Sequence, residues 1–241
     1  EFKDVSFTYP QTGIKVFNSF NLKIEKEKTL GIVGKVGSGK TTLLDLICRV
    51  YDPNEGSISY DKNDIKSFKI NNLRELFSYV PQNNFLFSDS IFKNIQFGNP
   101  NATESEVEEA AKLSEIDSEI AKFENGYKTI LGERGVTLSG GQVQRVSIAR
   151  SFVKDSALYL FDDCFSSLDT DTEERLIKNL KNNFKNKSVI IVSHRVSCVK
   201  HADKIIVLEK GKIIQEGTHK NLIKIDGYYK ELYNKQNSEI T

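Results

Sequence analysis

Gly34-Lys35-Val36-Gly37-Ser38-Gly39-Lys40-Thr41 is the stretch that decides the fold, because it fits the pattern G-x-x-x-x-G-K-[ST]. It follows the short apolar run Leu30-Gly31-Ile32-Val33 and precedes a helical pattern. The glycines let backbone amides wrap phosphate groups, and the beginning of the helix adds partial positive charge. We therefore expect nucleotide contacts along this stretch and at Thr42, with Lys40 at the β- and γ-phosphates and the Thr41 hydroxyl on Mg²⁺.

Two carboxylates follow a second apolar run, Ala157-Leu158-Tyr159-Leu160-Phe161, at positions Asp162 and Asp163. Ligands of open α/β sheets bind at the carboxyl ends of the strands. We therefore expect Asp162 to lie near the phosphate loop and to hold Mg²⁺. Paired aspartates after a strand are more often a turn or a helix cap, but the phosphate loop upstream favours the metal role.

The composition excludes several other classes of protein. A net charge of +1 over 241 residues leaves no basic footprint for nucleic acid, so we expect no nucleic-acid partner. No apolar run approaches the ~20 residues of a membrane span. The three cysteines are scattered, which favours reduced thiols in the cytosol over a zinc site. Because the chain contains no Met, we expect it to be a piece of a longer polypeptide.

The pattern of short apolar strands separated by helices predicts an α/β fold with a parallel sheet covered on both faces. A helix is expected over residues 40–50. Extended segments at 1–9, 14–24 and 56–60 predict a small antiparallel β layer beside the sheet. This layer should belong to the same folding unit as the phosphate loop.

The middle of the chain has a helical pattern instead. Thr103 and Glu106 form a capping-box pattern in front of an apolar stripe, and further helical pieces follow. We therefore expect one domain over 1–241, in which 1–82 and 155–241 form the core with its β layer. Residues 83–154 would be an inserted helical subdomain.

A pentapeptide, Leu138-Ser139-Gly140-Gly141-Gln142, lies between the phosphate loop and Asp162. Ser139 can cap the helix that follows it. With these motifs in this order, nearly the whole chain resembles the ATP-binding cassette (ABC) family, in which the pentapeptide contacts the γ-phosphate of ATP held by the opposite subunit. The resemblance implies a P-loop NTPase (RecA-like) core, ATP and Mg²⁺ as ligands, and a head-to-tail dimer around two ATP molecules.

Four further positions match motifs of this family. Gln82 resembles the Q-loop glutamine, which senses Mg²⁺ and contacts the membrane domain, and Ser167-Leu168-Asp169 resembles the D-loop, which links the two sites. His194 resembles the switch histidine that bonds the γ-phosphate, and Tyr9 resembles the aromatic that stacks on adenine. The alternatives are ordinary ones: a loop amide at Gln82, a structural histidine at a strand end, and a core tyrosine.

The stretch Leu131-Gly132-Glu133-Arg134-Gly135 resembles the X-loop of ABC exporters. That resemblance implies an exporter half at the cytoplasmic face of the cell membrane, with a membrane domain ahead of residue 1 whose coupling helices Glu133 would touch. Glu133 could instead be a solvated loop residue. Two rival functions stay open: a soluble ABC ATPase acting on DNA or ribosomes, and a nucleotide-sensing module without turnover. The transported molecule is not readable from this chain.

Asp163 departs from the family, which usually has Glu at this position to orient the attacking water. A side chain shorter by one methylene withdraws the carboxylate, and a misplacement of ~1 Å can cost on the order of 10²-fold in rate. We therefore expect ATP binding with weak turnover at this chain's own site. The change resembles the degenerate half of a heterodimeric exporter, whose partner has Glu at the matching position. Alternatively, Asp163 works adequately in a homodimer.

Overall fold

The computed structural model describes residues 1–132 and 135–238, and these form an α/β fold with two sheets. In chain order the strands are β1 (Phe2–Thr8), β2 (Lys15–Leu22), β3 (Thr29–Val33), β4 (Glu55–Tyr60), β5 (Asn63–Asp64), β6 (Phe77–Val80), β7 (Leu158–Asp162), β8 (Ser188–Val192), β9 (Lys204–Glu209) and β10 (Lys212–Gly217). The α-helices are α1 (Lys40–Ile47), α2 (Ile70–Glu75), α3 (Ile91–Gln96), α4 (Glu104–Leu113), α5 (Asp117–Ile120), α6 (Gly140–Phe152), α7 (Thr170–Asn183), α8 (Val196–Val199), α9 (His219–Leu222) and α10 (Tyr228–Ser238).

The main sheet has the strand order β10-β9-β3-β8-β7-β6, and the predicted α/β class is confirmed. The four pairings from β9 to β6 are all parallel: β3 with β9, β3 with β8, β7 with β8 and β6 with β7. Since β3, β8 and β7 are neighbours, the loops that follow them meet at one edge of the sheet. That edge collects the phosphate loop, the two aspartates and His194.

The small antiparallel sheet has the order β2-β1-β4-β5, as the extended segments predicted. Its aromatic inner face, including Phe7 and Phe17, packs against α1 and one face of the main sheet in a single hydrophobic cluster. Helices α7, α8 and α10 contribute to a second cluster on the other face. The main sheet is therefore buried on both sides, which explains why its strands are continuous apolar runs.

Two details differ from the sequence expectations. Helix α1 ends at Ile47 instead of continuing to residue 50, since Arg49 adopts a φ of +51°, the left-handed conformation that ends helices. The sequence pattern did not predict β10, which pairs antiparallel with β9 at the edge of the main sheet. Its alternation of half-buried and exposed residues lacks the apolar run of the inner strands.

A third hydrophobic cluster lies within the middle of the chain and joins residues of α3, α4, α5 and α6. At the beginning of α4, the side chain of Thr103 accepts from the Glu106 amide, and the Glu106 carboxylate accepts from Thr103, which is the expected capping box. Within residues 1–132 and 135–238, every helix is too short or too polar to cross a bilayer. The three cysteines are buried free thiols.

Candidate nucleotide site

The loop between β3 and α1 depends on its glycines for its shape. A Cβ on Gly34 would lie 2.2 Å from the backbone oxygen of Leu208, so no other residue fits there without a shift of the backbone. Gly39 has a φ of +104°, which is strained for any residue with a side chain. The Ser38 amide donates to the Lys35 oxygen at 3.2 Å, which closes the loop on itself. Val36 is fully exposed at the tip.

Helix α1 begins without any side-chain cap and without an acidic residue in its first turn. The first amides of a helix have no intrahelical partner, so they need an acceptor from elsewhere. The nearby Ser38 hydroxyl is also buried and has no hydrogen-bond partner. The end of the helix therefore presents unsatisfied donors, and a phosphate group would supply the missing acceptors.

Lys40 lies at the centre of the site. Its Nζ donates to the backbone oxygens of Gly34 and Lys35, at 2.9 Å in each case. Burial lowers the pKa of Lys40, while the nearby Asp163 and Asp162 raise it. The ammonium group thus lies between the loop and the two carboxylates. With a nucleotide bound, it would donate to phosphate oxygens instead of to the Gly34 and Lys35 carbonyls.

Asp162 is almost completely buried at the end of β7. Burial raises the pKa of its carboxyl, and hydrogen bonds from the Thr41 and Tyr79 side chains lower that pKa. The Tyr79 hydroxyl donates to Oδ2 of Asp162 at 3.3 Å. A carboxylate beside a threonine hydroxyl at the mouth of a phosphate loop is an oxygen donor set that suits Mg²⁺. Asp162 and Thr41 therefore fit the expected metal.

Asp163 has a φ of +48°, in the left-handed region that Asp tolerates better than most residues. Its amide donates to the Val192 oxygen at 2.8 Å, which ties it to the end of β8. The imidazole Nδ1 of His194 lies 2.8 Å from the Asp163 carboxylate, and the His194 amide lies 3.4 Å from it. Gln82 makes a longer contact of 3.5 Å to the same carboxylate. The structure thus brings together Gln82, Asp163 and His194.

The hydrogen bond to Asp163 raises the pKa of His194, while burial, Arg195 and Lys40 lower that pKa. More than half of the His194 side chain is exposed. The imidazole is thus held by a carboxylate and open to solvent at the edge of the sheet. The Asp163 carboxylate is correspondingly occupied by His194.

The glycine-rich pentapeptide lies at the beginning of α6, apart from the phosphate loop. Ser139 accepts from the Gln142 amide at 3.3 Å, and the Ser139 amide donates to the Gln142 side chain at 2.8 Å. Gly140 and Gly141 face Ser167, since a Cβ on either would lie between 3.1 and 3.6 Å from it. Across the part of the chain that the structure describes, no hydrogen bond or ion pair joins Ser139 or Gln142 to residues 34–42.

Tyr9 lies at the end of the antiparallel layer and faces α1. Its hydroxyl shares a hydrogen bond of 2.8 Å with the buried hydroxyl of Thr42. Its ring packs edge-on against Phe7 and Tyr51, with centroids 5.0 and 5.4 Å away. The side chain is only partly buried, so an aromatic surface remains beside the phosphate loop.

Comparison with known proteins places this site in a family. The sequence profile described as "ABC transporter" matches residues 17–166, which is more than half of the chain. The chain belongs to the ABC transporter family. It is 45% identical to ABC transporter B family member 14 of Arabidopsis thaliana over 96% of its own length, and 43% identical to the ATP-dependent lipid A-core flippase of Desulfotalea psychrophila over 98%. A solved bacterial Atm1-family ABC exporter with ATP bound matches 98% of the chain, with 37% identity and a TM-score of 0.93.

The chain is therefore an ABC-type ATPase domain that binds ATP. It spans 19% of the length of the plant relative, 41% of the flippase and 41% of the exporter chain. The matched region is thus a minor part of each of these longer proteins. Glu133, for which a contact with a membrane domain is expected, lies outside the residues that the structure describes.

Two residues of this ABC domain that contact the site were missed by the sequence analysis. Tyr79 bonds Asp162 from the neighbouring strand β6, and Gln236 bonds the backbone around His194 from α10. Tyr79 precedes Gln82 by three residues, and its strand is the parallel neighbour of the strand that carries Asp162. That juxtaposition was a usable signal. Gln236 gave none, because it lies 42 residues beyond His194 in a polar helix.

Proposed function

We propose that this domain is the nucleotide-binding half of an exporter. It binds ATP with Mg²⁺, closes head to tail with a second nucleotide-binding domain around two ATP molecules, and so drives a substrate across a membrane. The resemblance to a flippase and to an Atm1-family exporter supports the direction of transport. The roles that we propose for individual residues are supported by the geometry of the site at the sheet edge as well as by the family.

One observation carries the dimer. The uncapped beginning of α1 supplies phosphate donors, whereas residues 139–142 at the beginning of α6 form no hydrogen bond with that loop among the residues that the structure describes. In a single chain, a nucleotide on the phosphate loop would therefore have no contact with residues 139–142, and one side of it would be uncovered. A second copy of the same architecture, turned head to tail, covers that side, and each chain then contributes its phosphate loop to one site and its signature to the other.

The bound nucleotide would be held by several groups of this chain. The loop amides of residues 34–42 and Lys40 would grip the phosphates, and Tyr9 would lie against the adenine. Thr41, Asp162 and Gln82 would hold Mg²⁺. When bound, the metal neutralises charge that develops on the phosphate oxygens.

Hydrolysis requires a water molecule held in line with the γ-phosphate. Asp163 would accept a hydrogen bond from that water, His194 would contact the γ-phosphate, and Gln82 would monitor both. The Asp163 carboxylate is already engaged by His194 at 2.8 Å, and it is shorter than Glu by one C–C bond of about 1.5 Å. Both features favour slow turnover at this chain's own site.

The slow site leads to an asymmetric pair. We propose that the second domain is a different chain with Glu at the position matching Asp163. The intact signature of this chain would complete the partner's faster site, while this chain's own loop mainly retains ATP. This division of labour makes ATP binding here structural for the dimer and makes hydrolysis the task of the partner's loop.

An exposed aromatic patch supports coupling to a membrane domain. Phe85, Phe87 and Phe97 form a ring-to-ring contact series with centroids 5.2 and 4.7 Å apart, and the outer two are 67% and 61% exposed. The Arg150 guanidinium lies over two of the rings. A cluster of this kind marks an interaction surface, and it follows Gln82 directly. We propose that it receives the membrane domain at the cytoplasmic face.

The patch also supports the division of the chain. We propose that 1–82 and 155–241 form the core and that 83–154 form a helical subdomain, which carries both the patch and the signature. A movement of the membrane domain against the patch would then shift the signature relative to the core. The hydrophobic cluster shared by α3 and α6 makes these two features part of one body.

The slow-site proposal is tested by comparing steady-state ATP turnover of this domain alone, as Asp163→Glu, and mixed with its partner domain. We expect Asp163→Glu to raise turnover by up to about 10²-fold, with ATP affinity unchanged, because the longer side chain reaches the water. Mixing should raise turnover without any substitution. Equal turnover of the wild type and Asp163→Glu would contradict the proposal.

The membrane coupling is tested in the parent polypeptide reconstituted in proteoliposomes. Phe97→Ser should lower substrate-stimulated turnover severalfold while the basal turnover of the isolated domain stays unchanged. Ile225→Ser is the matched control, since Ile225 is 54% exposed and belongs to no aromatic patch. Equal stimulation in the wild type and Phe97→Ser would argue against this surface, and a parent without membrane spans would refute the exporter.

A further inference from the structure

Gln236 of α10 contacts the backbone of the loop that carries His194 through both ends of its amide. Its Nε2 donates to the His194 oxygen at 2.7 Å, and its Oε1 accepts from the Val196 amide at 2.8 Å. These are short, direct hydrogen bonds. A single side chain therefore satisfies a backbone acceptor and a backbone donor on either side of Arg195.

The His194 loop is held from two directions. On the site side, the Asp163 carboxylate receives the imidazole Nδ1. On the opposite side, the Gln236 side chain forms hydrogen bonds with the backbone of His194 and Val196. Between them, Arg195 donates to the Ser166 and Leu168 oxygens and to Glu173, so it is anchored in another direction. Gln236 is thus the only described side chain that bonds the backbone of both His194 and Val196.

The helix that carries Gln236 is itself fixed to the core. Tyr229 is fully buried, and Leu232 and Tyr233 pack against the hydrophobic cluster beneath the main sheet. The Tyr229 hydroxyl also bonds the ring of His219 at 2.9 Å. A glutamine on a helix anchored in this way is a rigid support, in contrast to a side chain on a mobile tail.

We propose that Gln236 is a positioning residue for His194: it sets the height and direction of the imidazole by clamping the backbone of its loop from α10. The inference rests on the proposed role of His194 at the γ-phosphate. It extends the nucleotide site to the last helix of the domain, which carries none of the sequence motifs.

The chemistry of the amide explains why glutamine suits this task. Only Asn and Gln present a donor and an acceptor side by side, and Asn is shorter by one methylene. Glu would keep the acceptor for the Val196 amide but would set a carboxylate against the His194 oxygen. Leu would keep the approximate volume and remove both bonds. Gln236→Glu and Gln236→Leu therefore form a graded pair.

The primary test is an NMR titration of the imidazole protons, and it does not require turnover. The chain has three histidines. The pKa of His194 is raised, whereas burial lowers the pKa of His201 and of His219. In Gln236→Leu, the Asp163 contact loosens, so the pKa of His194 should fall towards the ordinary histidine value while the other two stay unchanged. Asn234→Ala, an exposed position on the same helix, is the matched control.

The second test is kinetic, with a partner domain whose own phosphate loop has been inactivated, so that only the site on this chain's loop turns over. Gln236→Leu should lower kcat about tenfold and leave KM for ATP within about twofold, because the loop moves by a fraction of an ångström without touching the phosphate loop. The kcat of Gln236→Glu should lie between the kcat of the wild type and that of Gln236→Leu. In a His194→Ala background, Gln236→Leu should produce no further loss, since the residue acts through His194.

The outcomes separate this inference from the function on which it rests. An unchanged pKa of His194 in Gln236→Leu would overturn the positioning role even if the domain hydrolyses ATP. An equal kinetic loss with and without His194 would overturn it too, because Gln236 would then act elsewhere. Absence of turnover in the wild-type pair would defeat the proposed function, while the NMR titration would still decide the contact.

Discussion

Two helices of this domain begin in glycine-rich sequence, but the two N-termini differ. Helix α1 begins at Lys40, after Gly39, with no side-chain cap and with the buried Ser38 hydroxyl unpartnered. Helix α6 starts with a complete capping box between Ser139 and Gln142. The side-chain Nε2 of Gln142 also donates to the Glu119 carboxylate at 2.8 Å. The first helix leaves its donors for a ligand, whereas the second satisfies itself within the chain.

The difference indicates how one fold divides a single chemical task. The first amides of an uncapped helix need an acceptor from outside the helix, so the beginning of α1 suits an anion. A capped end is stable without ligand, so in the proposed dimer α6 can stay exposed until the second chain approaches with its nucleotide. We therefore expect a substitution at the beginning of α1 to abolish ATP binding by the chain. A substitution at the beginning of α6 should leave ATP binding intact and lower only the turnover of the assembled pair.

The largest expected effect is at α1. Lys40→Met removes the cation that holds the phosphates, so this chain should lose its ATP, the pair should no longer close, and turnover of the pair should fall on the order of 10²-fold. The matched control is Lys204→Met. Lys204 forms a 2.8 Å ion pair with Glu216 and is not part of the nucleotide site. Steady-state turnover in the presence of the partner domain measures both. A Lys40→Met domain with wild-type turnover would break the comparison at once.

The chain offers an internal control for α6, because α4 begins with the same kind of box. Ser139→Ala and Thr103→Ala should each lower the free energy of unfolding by about 1 kcal/mol, the usual cost of a lost N-cap. Urea unfolding checks this. Only Ser139→Ala should also lower the turnover of the assembled pair, by at least tenfold, since Thr103 lies in no nucleotide site. Equal turnover in the two variants would show that Ser139 is only a cap.

The smallest effect concerns protonation. The hydrogen bond to Asp163 raises the pKa of His194, so the ion pair is complete below the ordinary histidine pKa and is lost as pH rises through the raised pKa. Asp163→Asn should therefore lower the pKa of His194 in an NMR titration. Between about pH 6 and about pH 8, wild-type stability should fall more than that of Asp163→Asn. A His194 pKa that ignores the substitution would contradict the contact.

Much of the site was predictable from sequence because its groups lie at strand ends or in local motifs. Asp162 and Asp163 lie at the end of β7 and His194 follows β8, and the parallel pairing of these strands with each other and with β3 brings the three residues to the edge that carries the phosphate loop. The cap at Ser139 follows from a local rule as well. These features depend on short-range sequence pattern and on the geometry of parallel sheets, and both can be predicted from the sequence.

Other contacts depend on how distant elements pack, and the sequence did not reveal them. Gln142 bonds Glu119 across 23 residues, and Gln236 bonds His194 across 42. The edge strand β10 lacks the apolar run of buried strands, so hydrophobic pattern alone could not identify it. The left-handed conformation of Asp163 is set by its bond to the end of β8, which no local rule predicts.

The most direct test of the central claim is calorimetric titration of the dilute single domain with ATP and Mg²⁺. The account predicts that Lys40→Met loses measurable affinity, while Ser139→Ala binds one ATP per chain with the affinity of the wild type. An equal loss of affinity in Ser139→Ala, or full affinity in Lys40→Met, would contradict the division between the two helix ends.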